Sequence, residues 1–66
     1  MDITVNGKET VCAEEASLLD LIRQLGLSPE KIVVELNRDI VPAGAFARTT
    51  LHDGDMVELL QFVGGG

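Results

Sequence analysis

Sixty-six residues, 45% of them hydrophobic, have room for one domain with a real core, close to the lower size limit for a chain that folds without staples. Five basic against eleven acidic residues give a formal charge of −6, which disfavours nucleic-acid backbones and anionic membrane surfaces and makes a basic partner the expected one. A single cysteine, Cys12, and a single histidine, His52, exclude an internal disulfide, a cysteine-rich zinc site and an iron–sulfur cluster.

Ile3-Thr4-Val5 alternates apolar and polar, Asn6-Gly7 is a strong two-residue hairpin signal, and Lys8 to Cys12 continues with β-compatible residues. A type I′ loop at Asn6-Gly7 would pair Val5 with Lys8, Ile3 with Thr10 and Met1 with Cys12, turning Cys12 inward and Val11 outward; a bulge would reverse the two. Ser17 is placed to cap a helix, with Asp20 reaching back as in a capping box. Leu18, Leu21, Ile22 and Leu25 recur at helical spacing, and Gly26-Leu27 fits the helix end, giving about two and a half turns. Ser28-Pro29-Glu30 can begin one further helical turn.

Ile32 to Leu36 is apolar on both faces until Glu35 and reads as a strand covered on both sides for most of its length. Asn37-Arg38-Asp39 turns the chain, Ile40-Val41 is a short strand ended by Pro42, and Ala45-Phe46-Ala47 suggests a packed helical turn. Leu51 is expected to anchor in the core. His52 to Asp55 is a turn, and Met56 to Val63 is the last strand. Its alternation sets Val57, Leu59, Gln61 and Val63 on one face and Met56, Glu58, Leu60 and Phe62 on the other.

Hairpin, helix and three further strands imply an α+β fold, a mixed sheet of four to five strands with one main helix on one face. With the last strand parallel to the first, this is a β-grasp. Its expected organisation is a body over residues 1–63 and a glycine tail over 64–66. Packing gives no account of Gly64-Gly65-Gly66, since glycines are costly to order and fill no core. A bare chain can thread a channel too narrow for any Cβ, and three extended residues reach roughly 10 Å. The α-carboxylate of Gly66 is therefore the candidate reactive group, with Gly64 and Gly65 as threading residues.

The ordered set Ile3-Thr4-Val5-Asn6-Gly7, Ser17-Leu18-Leu19-Asp20-Leu21, Leu25-Gly26-Leu27, Glu35-Leu36-Asn37, Ile40-Val41-Pro42, Asp53-Gly54-Asp55 and Phe62-Val63-Gly64-Gly65-Gly66 resembles the sulfur carrier family of thiamine biosynthesis, ubiquitin-like β-grasp proteins. The resemblance implies that the Gly66 carboxylate is adenylated by an ATP-dependent, E1-like enzyme. It is then converted to a thiocarboxylate, with sulfur from a sulfur donor protein, and the sulfur passes to thiazole synthase. Gly65 and Gly66 match the family's terminal glycines, and Gly64 lengthens the bare end. Close alternatives are the small subunit of molybdopterin synthase, a conjugation tag joined to lysine, and a non-covalent interaction domain with an incidental tail.

No side-chain set of nucleophile, base and orienter stands out, and no phosphate-cradling glycine loop is present, so the chain is expected to be a carrier and not an enzyme, with no cofactor and no metal. Cys12 reads as an inert core residue, His52 as a solvated turn residue, and Asp53 with Asp55 as turn chemistry. If the helix covers the Val57 face of the last strand, Leu60 and Phe62 lie exposed beside the tail as candidate partner-docking residues. Only Phe46 and Phe62 are aromatic, too few for base stacking. With no leader and no membrane-length apolar run, the expected location is the cytoplasm, and the expected state alone is a monomer.

Overall fold

The computed structural model describes residues 1–62. The expectations for Val63, Gly64, Gly65 and Gly66, including the boundary between body and tail, lie outside the described residues.

Strands β1 (Asp2–Val5) and β2 (Lys8–Val11) form the opening hairpin. Asn6 and Gly7 have φ of 49° and 80°, the two positive values of a type I′ turn, whose twist matches that of the flanking strands. Val5 faces Lys8 and Ile3 faces Thr10, so Cys12 is buried and Val11 is exposed, as the unbulged register requires. The pairing extends to Met1, whose amino group donates to the Cys12 carbonyl at 2.7 Å.

Helix α1 (Leu18–Gln24) starts at the Ser17 capping box. The Asp20 N–H donates to Ser17 Oγ at 3.0 Å, and the Ser17 N–H donates to Asp20 Oδ2 at 2.9 Å. It ends in a Schellman closure: Gly26 at φ 74° donates to the Arg23 carbonyl and Leu27 to that of Ile22, each at 3.0 Å. The closure makes Leu25 the cap and leaves it 38% exposed, so the helix has seven residues, about two turns, shorter than its periodicity suggests. Leu18, Leu21 and Ile22 are fully buried, each burial stabilising by roughly 1.5–3 kcal/mol.

A 3-10 turn over Pro29–Lys31 leads into β3 (Ile32–Leu36), and β4 (Asp39–Val41) returns beside it. Asn37 and Arg38 have φ of 50° and 76°, so this connection is a second two-residue loop and Asp39 already belongs to a strand. A second 3-10 segment, Ala43–Arg48, inserts Phe46 into the core, and Leu51 is buried behind it. Strand β5 spans Met56–Gln61, with Phe62 just outside it; the expected extension to Val63 lies outside the described residues.

The sheet order is β2-β1-β5-β3-β4, with β1 and β5 parallel and the other neighbours antiparallel. Ile3, Val5, Ile32, Val34 and Val57 project from one face onto Leu18, Leu21, Ile22, Phe46 and Leu51. The expectation that β3 is covered on both faces is corrected. Ile32 and Val34 are buried but Val33 is only half-buried, because the single helix leaves the second face open. The apolar run reflects a strand flanked by β5 and β4, not a three-layer fold.

Candidate functional site

Strand β5 is last in sequence yet central in the sheet, so the ladder fixes it from both sides. It pairs with β3 from Leu36↔Val57 to Ile32↔Gln61, and the Phe62 N–H donates to the Lys31 carbonyl at 2.7 Å. The backbone just before the glycine run therefore has one direction. Val57 is buried against the helix layer and Leu59 is half-buried, while the alternate residues Leu60 and Phe62 are 65% and 56% exposed. Both candidate docking residues thus share the open face of the sheet. Gly64, Gly65 and Gly66 lie outside the described residues.

Two asparagines, read in the sequence only as turn formers, hold β5 in place. Strand β1 stops at Val5, leaving the further part of β5 without a neighbour on that side. Asn6 fills the gap: its Oδ1 accepts from the Leu59 N–H at 2.7 Å and its Nδ2 donates to the Leu59 carbonyl at 3.2 Å. Asn37 holds the start of β5 in another way, accepting from the Met56 N–H at 2.9 Å and donating to the side-chain carboxylate of Asp55, at Oδ1, at 3.0 Å. Each occupies the first position of a type I′ loop, where asparagine tolerates positive φ. That shared placement, Asn6-Gly7 and Asn37-Arg38 each following a strand, is the sequence signal that pointed to them.

Among the other singled-out residues, Cys12 is buried between the first hairpin and the helix layer, and burial pushes its thiol up from the ordinary value. A neutral, enclosed thiol is a poor nucleophile. The His52 side chain is solvent-exposed, 4.0 Å from Asp55 Oδ2. Asp53 and Asp55 serve the turn: Asp53 Oδ1 accepts from the Asp2 N–H at 2.8 Å, and Asp55 Oδ2 from the His52 N–H at 2.7 Å. Among the described residues no group of three or more His, Cys, Asp and Glu is placed to hold a metal, and no helix is long and apolar enough to cross a membrane. An open groove of about 340 Å³ lies on the helix side, lined by Val5, Lys8, Thr10, Leu25, Leu27 and Leu59.

A five-stranded mixed sheet in this order, grasping one main helix and directing its central strand outward, is a ubiquitin-like β-grasp body. The crystal structure of the thiamine biosynthesis protein ThiS from Geobacter metallireducens matches it with a TM-score of 0.84 at 42% sequence identity, covering 100% of both chains. The sulfur carrier protein ThiS of Escherichia coli (strain K12) is 30% identical over 66 residues, 100% of each chain. The thiazole synthase of Paramagnetospirillum magneticum is 35% identical over 66 residues, 100% of this chain but 20% of that protein's length. The chain thus spans one fifth of that relative. The ThiS family model matches residues 2–66, and the chain belongs to the ThiS family, the sulfur carriers of thiamine biosynthesis.

Proposed function

We propose that Gly66 carries sulfur as a C-terminal thiocarboxylate for formation of the thiazole of thiamine. Its carboxylate oxygen attacks the α-phosphorus of ATP on an adenylating enzyme and pyrophosphate leaves. A hydrosulfide equivalent from a sulfur donor protein then attacks the acyl carbon and AMP leaves. A carboxylate is a poor electrophile, and its mixed anhydride with AMP supplies the missing leaving group. The thiocarboxylate gives up its sulfur at thiazole synthase. The chain is substrate and carrier throughout, and the chemistry belongs to its partners. Gly64 and Gly65 are the residues that thread a narrow channel, and Leu60 and Phe62 dock the body.

The observation that carries this reading is the match of the ThiS family model through residue 66, on a body whose central strand precedes the glycine run in sequence and leaves Leu60 and Phe62 exposed. The thiazole synthase relative, in which a segment similar to this chain makes up 20% of the length, supports that enzyme as the recipient. The test is ATP–pyrophosphate exchange with the adenylating enzyme of the same host. The full chain supports exchange, and deleting Gly65-Gly66 abolishes it; exchange that survives the deletion sinks the reading. Addition of the sulfur donor then yields an oxygen-to-sulfur mass gain localised to Gly66.

A further inference from the structure

Past Val57 the two edges of β5 are held differently. On the β3 side the ladder runs on through Val33↔Leu60 and Ile32↔Gln61 to the bond from the Phe62 N–H to the Lys31 carbonyl. On the other side β1 has ended, and among the described residues Asn6 alone bonds to the β5 backbone there. Its own N–H donates to the Val57 carbonyl at 2.9 Å, and its side chain takes the N–H and carbonyl of Leu59. The main chain turns away into the loop at φ 49°, so the side chain, not the next stretch of backbone, follows β5.

The gripped position lies between the core and the candidate reacting end. Val57 is the fully buried residue of β5 and comes before it, whereas the exposed Leu60 and Phe62 come after it. Phe62 is four residues from Gly66 in sequence. A strand segment held on one edge opens locally more readily than one held on both. Each backbone residue that a partner must fix on binding costs roughly a factor of ten in affinity, so a segment already in place when the partner arrives removes that cost.

We propose that Asn6 is a positioning residue for adenylation: by holding Leu59 it delivers Leu59 to Phe62 to the adenylating enzyme already extended. The inference rests on the reading that Gly66 is adenylated. Asn6 acts through the Leu59 backbone and not on the reacting atoms. Once the carrier is bound, the enzyme's own contacts keep the segment in place, so loss of the grip falls on KM and spares kcat.

The test is pyrophosphate exchange with that enzyme, measured against carrier concentration at a temperature where every variant is folded. Asn6→Gly removes the side chain while suiting the positive φ, so the turn itself is kept. Its KM is expected to rise about tenfold, the equivalent of fixing one more residue on binding, with kcat within about twofold of the parent. Asn6→Asp tolerates the same φ and keeps an acceptor for the Leu59 N–H, and its KM is expected to fall between the two. Ser17→Ala, a destabilising change at the start of α1, keeps the parental KM. A parental KM in Asn6→Gly, an equal rise in Ser17→Ala, a loss confined to kcat, or an Asn6→Asp variant no better than Asn6→Gly overturns the inference, while exchange by the parent leaves the Gly66 chemistry standing. Absence of exchange with the parent chain instead sinks the Gly66 reading, and this inference with it.

Discussion

Asn6 presents its side-chain amide to both backbone groups of Leu59, at 2.7 and 3.2 Å, and so acts as one residue of a missing strand. Without it the β1 side of β5 would be bare beyond Val57, the last residue of β5 paired with β1. Asn6→Ala is expected to cost about 1–2 kcal/mol, from two hydrogen bonds of roughly 1 kcal/mol each. Amide exchange at Leu59 is expected to accelerate more than exchange at Val34 in the core. Uniform acceleration across the sheet would show that Asn6 matters only to overall stability.

Arg38 lies at φ 76° in the loop between β3 and β4, at the position that Gly7 fills in the first hairpin. A left-handed residue with a Cβ carries a strain that glycine lacks. Arg38→Gly is therefore expected to raise stability by roughly 0.5–1 kcal/mol, the strain relief exceeding the added freedom of the unfolded chain. Chemical denaturation should show a higher midpoint with an unchanged slope.

The capping box gives folding an acid-side dependence. The Ser17 N–H, and after it the Ser17 side chain, hold the Asp20 carboxyl below its ordinary value. A value depressed in the folded state stabilises above the unfolded value, about pH 3.9 for aspartate, and the stabilisation is lost as pH falls through the folded value. Asp20→Asn should flatten this part of the stability profile below about pH 4. Ser17→Ala should cost about 1 kcal/mol near neutrality. A profile that keeps its acid slope in Asp20→Asn would assign the slope to other carboxylates.

Cys12 gives the opposite sign on the alkaline side. Burial raises its thiol pKa, so the neutral form is favoured in the folded chain. That preference stabilises fully below the unfolded value of about 8.5 and is lost as pH rises through the folded value. Alkylation at pH 8 should therefore proceed at the rate of chain opening, and denaturant should speed it steeply. Cys12→Ala should leave pyrophosphate exchange at the parental level. Rapid alkylation of the folded chain would contradict the burial.

Most of the body was legible in the sequence because its signals are local. The Asn6-Gly7 loop, the Ser17 and Asp20 cap, the Gly26-Leu27 closure and the alternation of β5 each depend on residues within a few positions of one another. The helix ends at the Gly26-Leu27 closure, as the sequence indicates, with Leu25 as the cap residue; only its length falls short, at seven residues and not two and a half turns. The apolar run Ile32-Val33-Val34 marks a strand with neighbours on both edges, and an isolated run cannot separate that from cover on both faces. The grip of Asn6 on Leu59 and the facing of Glu35 and Glu58 join residues 53 and 23 positions apart. Such pairs follow from register across the sheet, which no short window contains.

The position of β5 bears on what damage to the chain produces. Its neighbours β1 and β3 do not pair with each other, so a break within β5 leaves two separate hairpins, each marginal by itself, and removes the buried Val57 from the core. Proteolysis there should yield unfolded fragments that are cleared, and not a shortened but intact body. With β5 in the middle of the sheet, a cut inside it therefore costs the whole body, where the same cut in the edge strands β2 or β4 would cost only a border.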